Sequence, residues 1–595
     1  MTAAGGRGFT LGRAAATASA LALLAITCAG VAATRPGDAA AAPKAAGYVD
    51  ALISLKHPPG LERFARRVSD PTSPSYGDYA TVEALIKRFG PKPKAKKRTM
   101  SYLRRHRVDA TLARTGTFAV ARISDEEARR LFAPQGGIAS VSRDASLDAE
   151  VPVELRPYVD EVTLLSTEPA VERYARRYEG PIARSSKGQP LSARLRSGTP
   201  AGCPEATGEG AGFTPNQYLS AYGHRALHRR GARGRGGRVA VVEVDGFLRS
   251  DLETFGRCFG IRIPKTPITT VFIPRKLPQG IETTLDLELM SAAAPGLRAI
   301  DVYQGAQSNA GVMATMAGAL GPKGRHPEVI SASLGICEPL LRKSPNVVQT
   351  GDEILALAAA AGISVLVSSG DHGSSGCLFE TGKAAAATSY PATSPWATAV
   401  GGTNLGLTPS NRIAQQPVWN DSPIQIPFGG GGGLSTLGQR PFYQHGERFK
   451  QASRRRIVPD VSALADLIPG YQLYCTAPGG ANCDSAGWTQ IGGTSAASPL
   501  TAGGIALVNQ LRRRQGQPRL GFLNPLLYHL GRTLGKRRPF SDVVLGNNNM
   551  SAALTPEDGK ARVRCCTALK GYDRASGWGS IVFPKFHKAA GRFGG

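Results

Sequence analysis

The first feature whose residue types could carry out chemistry is a short motif at residues 493–499, Gly-Thr-Ser-Ala-Ala-Ser-Pro. The apolar period of residues 500–511 predicts that a helix follows it. Ser495 would then lie at the helix N-terminus, where backbone N–H groups and the positive end of the helix dipole stabilise an oxyanion. Serine and threonine are also favoured as plain helix caps, so the motif alone leaves both interpretations open.

A serine hydroxyl needs a base before it can act as a nucleophile. None of the nine histidines stands in the His-Gly-Thr setting at a helix start that Ser-His-Asp enzymes of the subtilisin type use. Glu282 and Asp286 are an alternative base, because their i,i+4 spacing brings two carboxyls within about 5–6 Å on one helix face. If the pair is buried, the two acids share a proton and one titrates near the working pH. A solvated acidic face would have the same spacing.

Asp371 is a third candidate, since it follows an apolar run at residues 365–367 and the turn residue Gly370. A strand that ends in this way places a carboxyl at the carboxyl edge of a parallel sheet, where sites form in such folds. A carboxyl donates a hydrogen bond to an oxyanion only when it is protonated. An ordinary turn aspartate is the alternative. A base at His372 is disfavoured, because this residue adjoins Asp371 instead of lying across the site.

Together these motifs resemble the sedolisin family, the serine-carboxyl peptidases, and the resemblance extends over almost the whole chain. It implies an acid-active serine-type endopeptidase that is made as a zymogen and works through an acyl-enzyme. Ser495 would be the nucleophile, Glu282 the general base, Asp286 the residue that holds and tunes Glu282, and Asp371 the protonated oxyanion donor. We therefore expect these four groups to meet at one cleft. Further matching stretches lie at residues 329–338, 389–403, 429–433 and 458–462, and residues 70–76 resemble the family's pro-kumamolisin-type activation domain.

The C-terminal region resembles the calcium site of the same family. Carboxylates and backbone carbonyls suit a hard cation, so the resemblance implies one structural Ca²⁺. The family usually has glycine where this chain has Leu569, although a carbonyl ligand does not require glycine. Ordinary loop aspartates are the alternative. The expected ligands are Asp542, Val543, Leu569, Gly571 and Asp573.

The elements that must position these groups alternate between apolar strands and helices. Such a pattern predicts an α/β fold, a subtilisin-like parallel sheet flanked by helices, preceded by a smaller α+β prodomain. A basic run at residues 92–98 is expected to be a solvated loop or a cleavage target. Predicted strands lie at 117–123, 239–244, 299–303, 329–333, 364–368 and 397–400, and predicted helices at 64–68, 82–89, 282–294, 310–320 and 352–361.

The domain prediction has four parts: a signal peptide at residues 1–42, an activation prodomain at 43–178, a linker with the processing site at 179–209, and the catalytic domain at 210–595. Two arginines precede an uncharged, alanine-rich stretch near the N-terminus, which is typical of a secretory signal. An uncleaved membrane anchor is the alternative. The linker is rich in Gly, Pro, Ser and Arg and has little apolar period, so it is a natural protease site.

Secretion would place the eight cysteines beyond Cys28 in an oxidising compartment, where an even number suggests disulfides. Only Cys475–Cys483 is favoured by proximity, and no cysteine or histidine spacing suits zinc. The expected partners are polypeptide substrates and the chain's own propeptide as an intramolecular inhibitor. We expect an extracellular monomer without a specific nucleic acid and, after signal cleavage, without a membrane.

A competing interpretation starts from the net charge of +28, which would let a binding-only protein adhere to anionic polymers. No aromatic interleaving or nucleic-acid motif accompanies the basic runs, so we prefer charge that serves solubility.

Overall fold

The computed structural model describes residues 47–133, 146–169, 171–176, 198–208, 210–382, 384–424, 426–446, 449, 454–476, 483, 487–550, 563 and 565–594. The predicted signal peptide and most of the predicted linker lie outside the described residues. Within the described part, no helix has the length and apolar character needed to cross a membrane.

The N-terminal region is built on an antiparallel sheet that carries helices, in agreement with the predicted α+β prodomain. Its strands run, in sheet order, Ala110–Leu112, Phe118–Ser124, Tyr48–Leu55, Val159–Ser166 and Ser146–Ala149. Its helices are Leu61–Ser69, Val82–Phe89, Pro93–Arg105 and Asp125–Phe132.

The expectation of a loop at residues 92–98 was wrong, because the segment lies in the helix Pro93–Arg105. Its buried residues Ala95, Thr99, Tyr102 and Leu103 follow the spacing of one helix face. That face packs toward the prodomain sheet, and the lysines and arginines occupy the other faces. Burial of these few residues against the rest of the domain therefore stabilises a helix in a segment whose charge suggested a loop.

The larger region contains a sheet in which every neighbouring pair of strands is parallel. Most of its strands are buried along their length, as expected for a sheet covered on both faces. In sheet order its strands are Val461–Leu464, Thr398–Thr403, Ser364–Ser368, Val329–Ala332, Arg238–Glu243, Ala299–Gly305 and Ile268–Val271.

Two helices of this region bear directly on the candidate site, Ile281–Ala293 and Thr494–Arg514, and they pack against each other. Gly503 permits this close approach, because a Cβ at that position would collide with the side chain of Ala293. The other helices are Pro215–Ala221, His224–Arg229, Arg249–Phe259, Asn309–Gly318, Pro345–Ala360, Leu378–Thr381, Asn524–Thr533 and Phe583–Ala590.

Short strands form smaller sheets around the main one. One of them joins the strand Glu172–Arg173, which lies within the predicted prodomain, to strands of the larger region. The remaining short strands are Leu334–Cys337, Ser389–Tyr390, Gly406–Leu407, Ile413–Gln415, Gly433–Gln439, Arg455–Val458, Tyr471–Tyr474, Trp488–Ile491, Phe540–Ser541 and Ser580–Ile581.

All eight cysteines beyond Cys28 are paired, and the pair favoured by proximity, Cys475–Cys483, is among them. The pairing of the other six cysteines could not be read from the sequence. It is Cys203–Cys258, Cys337–Cys377 and Cys565–Cys566.

Candidate active site

Ser495 lies in the first turn of the helix Thr494–Arg514, as its motif predicted. Gly493 immediately precedes this helix, and its φ of 105° lies in the left-handed region that favours glycine. The Ser495 side chain is buried, and its Oγ donates a hydrogen bond to the carbonyl oxygen of Ser333 at 3.3 Å. The hydroxyl therefore sits where backbone dipoles favour negative charge.

Glu282 and Asp286 lie on the helix Ile281–Ala293 and are both buried. The hydroxyl of Ser333 donates to the two carboxyl oxygens of Asp286, at 2.9 and 3.0 Å. Because the carbonyl of the same Ser333 accepts the Ser495 hydroxyl, one residue bridges the candidate nucleophile and the acid pair.

The two acids hold their protons strongly. Burial raises the pKa of Glu282 to about 8, although the Ser495 hydroxyl and the N–H of Ala175 act in the opposite direction. Burial also raises the pKa of Asp286 well above its usual range, and the charge of Glu282 adds to the effect. Buried carboxyls so close together cannot both ionise easily, so the pair retains a proton.

Asp371 follows the strand Ser364–Ser368 and the left-handed residue Gly370, and it is fully buried. Its Oδ1 accepts hydrogen bonds from the N–H and the hydroxyl of Thr494, each at 2.8 Å. Its Oδ2 lies 3.4 Å from Nε of Arg176, a prodomain residue. Burial raises the pKa of Asp371 to about 6, while Arg176 and Thr494 hold it lower than burial alone would.

Two further acids lie at the same edge and were not among the predicted site residues: Glu243 ends the strand Arg238–Glu243, and Asp245 lies in the loop that follows. Thr283 donates its hydroxyl to Glu243 Oε2 at 3.1 Å and to Asp245 Oδ1 at 2.6 Å. Asp245 also accepts the N–H groups of Glu282 and Thr283, at 3.3 and 3.0 Å. The signal for these two acids was an acid-x-acid pattern at the end of a predicted parallel strand, because such strand ends line sites.

The structure brings Ser495, Glu282, Asp286 and Asp371 together, whereas their catalytic roles stay a prediction. The ring nitrogens of His372 contact other groups: Nδ1 lies 3.1 Å from the carbonyl oxygen of Pro427, and Nε2 lies 2.7 Å from Glu172.

Residues 171–176, which lie within the predicted prodomain, cross the cleft in extended form. Its strand Glu172–Arg173 pairs antiparallel with Leu334–Cys337, with Leu334 opposite Arg173 and Gly335 opposite Glu172. On the other side, Arg176 and Gly492 exchange two backbone hydrogen bonds of 3.0 Å. Backbone pairing on both sides is the way in which an extended peptide docks by strand addition.

The same segment brings charged side chains to the acids of the cleft. Arg173 Nη1 lies 3.1 Å from Asp245 Oδ2, and Arg176 pairs with Glu172. Glu172 also lies 2.7 Å from Nε2 of His372. Burial alone would raise the pKa of Glu172, but His372 and Arg176 lower it to about 2. The segment therefore supplies cations to a cleft that is otherwise rich in acids.

Far along the chain, Asp542 and Asp573 hold one loop between them. Both oxygens of Asp542 accept the N–H of Gly571, at 3.1 and 2.8 Å, and Asp573 Oδ2 accepts the N–H of Leu569 at 2.9 Å. No group of three or more His, Cys, Asp or Glu side chains suited to a metal occurs among the described residues. The calcium site expected at Asp542, Val543, Leu569, Gly571 and Asp573 therefore stays a prediction.

Comparisons with known proteins agree with this architecture. Residues 288–521 match the subtilase family (Peptidase_S8), and residues 38–167 match the pro-kumamolisin activation domain. Kumamolisin from Bacillus sp. (strain MN-32) is 29% identical over 453 residues, which cover 73% of this chain and 71% of that protein. Tripeptidyl-peptidase 1 is 28% identical in Canis lupus familiaris, over 89% of each chain, and 27% identical in Homo sapiens, over 89% of this chain and 88% of that protein.

A solved structure of Pseudomonas sedolisin, a serine-carboxyl proteinase complexed with two molecules of pseudo-iodotyrostatin, aligns with a TM-score of 0.55 and 26% identity. The alignment covers 65% of this chain and all of that one. The fold is therefore the predicted subtilisin-like α/β architecture with a smaller N-terminal domain, and the chain is a peptidase and not a binding-only protein. These matches support the sedolisin, or serine-carboxyl peptidase, family, with a pro-kumamolisin-type activation domain at residues 38–167.

Proposed function

We propose that this peptidase is the zymogen of a secreted, acid-active endopeptidase whose nucleophile is Ser495. The observation that carries the proposal is the Ser333 bridge, because it joins the Ser495 hydroxyl to the acid pair through two hydrogen-bonded groups. An isolated helix cap would need neither a buried acid pair nor this bridge.

In the proposed mechanism, Ser495 attacks the carbonyl carbon of the substrate and Glu282 takes the hydroxyl proton. Asp286 positions Glu282 and shares its charge. Glu282 then returns the proton to the leaving amine, which leaves an acyl-enzyme that water hydrolyses. This mechanism requires the carbonyl oxygen of the substrate to face Asp371 and the leaving nitrogen to face Glu282.

Asp371 would stabilise the oxyanion as a protonated donor. Its pKa of about 6 in the zymogen means that it carries this proton mainly below that pH. Loss of the proton leaves an acceptor-only carboxylate, which would repel the oxyanion. The activity should therefore fall as the pH rises past neutrality.

Glu282 must ionise before it can act as a base. Burial, its largest pKa-raising cause, depends in part on the prodomain segment that covers the cleft. Departure of that segment admits water, which lowers the cost of ionising Glu282. An ionised Glu282 and a protonated Asp371 would then coexist in acid.

We assign residues 43–178 to the prodomain, 179–209 to a linker and 210–595 to the catalytic domain. Extended residues 171–176 in the cleft support the role of the prodomain as an intramolecular inhibitor, because they occupy the space a substrate needs. The polypeptide substrates would enter once this segment leaves. Whether the cut falls in the linker stays a prediction of the sequence.

Secretion is supported by the paired cysteines, since disulfides persist in oxidising compartments. We propose an extracellular monomer whose signal peptide comprises residues 1–42. One Ca²⁺ held by Asp542, Asp573 and loop carbonyls would brace the C-terminal loop. When bound, it supplies fixed positive charge that neutralises the two carboxylates.

The test is digestion of a peptide library by the activated protein across about pH 3 to 8, a range that spans carboxylate titration. Ser495→Ala is the matched variant, because it removes one oxygen from a buried site. We expect internal cleavage with an acidic maximum that the variant lacks. A maximum above about pH 8, or undiminished cleavage by the variant, would overturn the proposal.

A further inference from the structure

The carbonyl group of Tyr174 lies beside the candidate oxyanion donor. A Cβ at Gly493 would collide with the Tyr174 carbonyl oxygen and would come within 2.8 Å of Asp371 Oδ2. The two oxygens thus share the small space in front of Gly493, two residues before Ser495. A protonated Asp371 placed there can donate to the oxygen of the Tyr174 carbonyl.

The next nitrogen along the chain lies beside the candidate base. The N–H of Ala175 donates to Glu282 Oε2 at 2.7 Å. Glu282 Oε1 has no hydrogen-bond partner among the described residues. The peptide bond between Tyr174 and Ala175 therefore has its oxygen on the Asp371 side and its nitrogen on the Glu282 side.

The side chain of Tyr174 anchors this register. It is fully buried, and a Cβ at Gly335 would collide with its hydroxyl group. A Cβ at Gly370 would lie 3.7 Å from the same hydroxyl. Gly335 thus leaves room for the aromatic ring next to the cleft, and backbone pairing at Glu172–Arg173 and at Arg176 holds the chain on either side.

We propose that Tyr174–Ala175 is the bond at which the chain cuts itself during maturation. This inference rests on the proposed function, and it places the first cut just before the linker at residues 179–209. Burial of an aromatic ring, two backbone ladders and two acids on opposite sides of one peptide bond are what a bound substrate requires, and a prodomain that merely covered the cleft would need none of them.

The reaction balances with water as the only co-reactant. Ser495 Oγ bonds to the Tyr174 carbonyl carbon and gives its proton to Glu282. Glu282 passes the proton to the Ala175 nitrogen as the C–N bond breaks. Water then adds to the ester, which frees Ser495 and leaves a carboxyl group on Tyr174 and an amine on Ala175.

The experiment uses the full-length zymogen, brought from neutral to acidic pH in water enriched in ¹⁸O. Reduced fragments are then identified by intact mass and terminal sequencing. We expect a prodomain fragment that ends at Tyr174 with ¹⁸O in its new carboxyl group, and a partner chain that begins at Ala175. Ser495→Ala should give neither fragment.

Tyr174→Gly should slow this cut at least about tenfold, because it removes the buried side chain that holds the bond in register. Tyr48→Gly is the matched control, since Tyr48 is 55% exposed on the same domain. A second variant, Ala175→Pro, removes the N–H that contacts Glu282 and should also block the cut. Folding of each variant is checked by its near-ultraviolet circular dichroism.

A first cut elsewhere, including one within residues 179–209, in a protein that still hydrolyses peptides would overturn this inference and leave the proposed function standing. Absence of self-cleavage together with absence of hydrolysis of any added peptide would overturn both. Equal cutting of the Ser495→Ala chain would show that another protease is responsible and would also overturn the inference.

An independent contact concerns the residue before this bond. Arg173 Nη1 lies 3.1 Å from Asp245 Oδ2, and the Asp245 side chain is 6% exposed in the zymogen. Departure of the prodomain segment leaves this carboxyl facing the position that precedes a cleaved bond. We infer that Asp245 is a specificity-determining residue that selects a basic side chain there.

The test compares two peptides that differ only by Arg or Gln immediately before a Tyr-Ala bond, at the highest pH that allows turnover. We expect the mature enzyme to favour the Arg peptide about five- to tenfold in kcat/KM. Asp245→Asn should bring the ratio near one even if it lowers both rates, whereas exposed Glu253→Gln should leave it unchanged. Equal rates for wild type, or a ratio that persists in Asp245→Asn, would overturn the assignment.

Discussion

The two sides of the cleft hold buried acids in opposite surroundings. On one side, Glu282 lies near Asp286 and Asp245, and burial raises its pKa to about 8. On the other side, Asp371 faces the guanidinium of Arg176, so its pKa reaches only about 6 despite complete burial. Arg176 is the largest of the effects that lower the pKa of Asp371, and the two hydrogen bonds from Thr494 add to it.

The proposed reaction needs an ionised Glu282 and a protonated Asp371. The higher pKa of Glu282 in the zymogen favours the opposite arrangement. Between about pH 6 and 8, most zymogen molecules would carry the proton on Glu282 and not on Asp371. Release of the prodomain should act on both groups, because water lowers the pKa of Glu282 and loss of Arg176 raises that of Asp371. We therefore expect the zymogen to make its first cut more slowly than the mature enzyme cuts peptides, because only the minority of docked molecules with an ionised Glu282 and a protonated Asp371 can react.

The largest expected effect comes from removing the base. Glu282→Gln keeps the size of the side chain but cannot accept the Ser495 proton, so kcat should fall at least about 10⁴-fold. Steady-state kinetics of the activated enzyme measures this loss, with exposed Glu253→Gln as the control. A tenfold or smaller decrease in kcat would mean that Glu282 is not the base, so its raised pKa would have no bearing on catalysis.

Replacing the oxyanion donor should have a smaller effect with a distinct pH signature. Asp371→Asn should lower kcat by about 10²–10³-fold, the usual cost of disturbing such a donor. Since an amide donates at every pH, the alkaline limb of the remaining activity should move upward. A pH–rate profile of the mature variant checks this, and an unmoved limb would assign that limb to another group.

The comparison also shows which parts of the site the sequence could predict. Local patterns in the sequence pointed to three of the residues. Ser495 lies at the start of a helix, Glu282 belongs to an i,i+4 acid pair, and Asp371 follows a strand. Parallel strands place their carboxyl ends at one edge of the sheet, where such residues can meet. The approach of the helices that carry two of these residues followed from the fold that the patterns implied.

The prodomain contacts could not be predicted in this way. Glu172 and Arg176 have meaning only after a separate domain docks, and no local periodicity records that docking. Asp245 stood after a predicted strand but lacked a motif that would distinguish it from a loop acid. Long-range pairing of charges was therefore the part of the site that only coordinates could supply.

Glu172 allows a separate test of the contacts that the segment 171–176 makes with His372 on the Asp371 side of the cleft. Its pKa is about 2 in the docked segment, against an ordinary value of 4.5, because His372 and Arg176 outweigh burial. A lowered pKa stabilises docking above pH 4.5, and this stabilisation is lost as the pH falls toward 2. Its full loss corresponds to up to about 300-fold in the docking equilibrium.

Hydrogen exchange at the amides of Ala175 and Arg176, corrected for intrinsic rates, measures this docking in the uncut Ser495→Ala chain. Protection should fall with decreasing pH in that chain and should depend less on pH once Glu172→Gln is added. Glu168→Gln, an exposed position in the same domain, is the control. Identical pH dependence in all three chains would exclude Glu172 as the acid-sensitive contact.

The smallest expected effect concerns acids that lie outside the cleft. Asp542 and Asp573 both accept N–H groups from the loop at residues 569–571, so a bound calcium ion should stabilise that loop without changing the acids that contact Arg176. Chelation should therefore lower the Tm of the mature enzyme by about 5 °C, the scale expected for loss of one ligand, and leave both limbs of the pH profile in place. Asp542→Asn should reproduce the lower Tm and abolish its response to chelator, as differential scanning calorimetry would record. An unchanged Tm on chelation would refute the calcium site. A shift in either limb of the pH–rate profile would show that this loop is coupled to the acids of the cleft, and it would contradict the expectation that the two regions act independently.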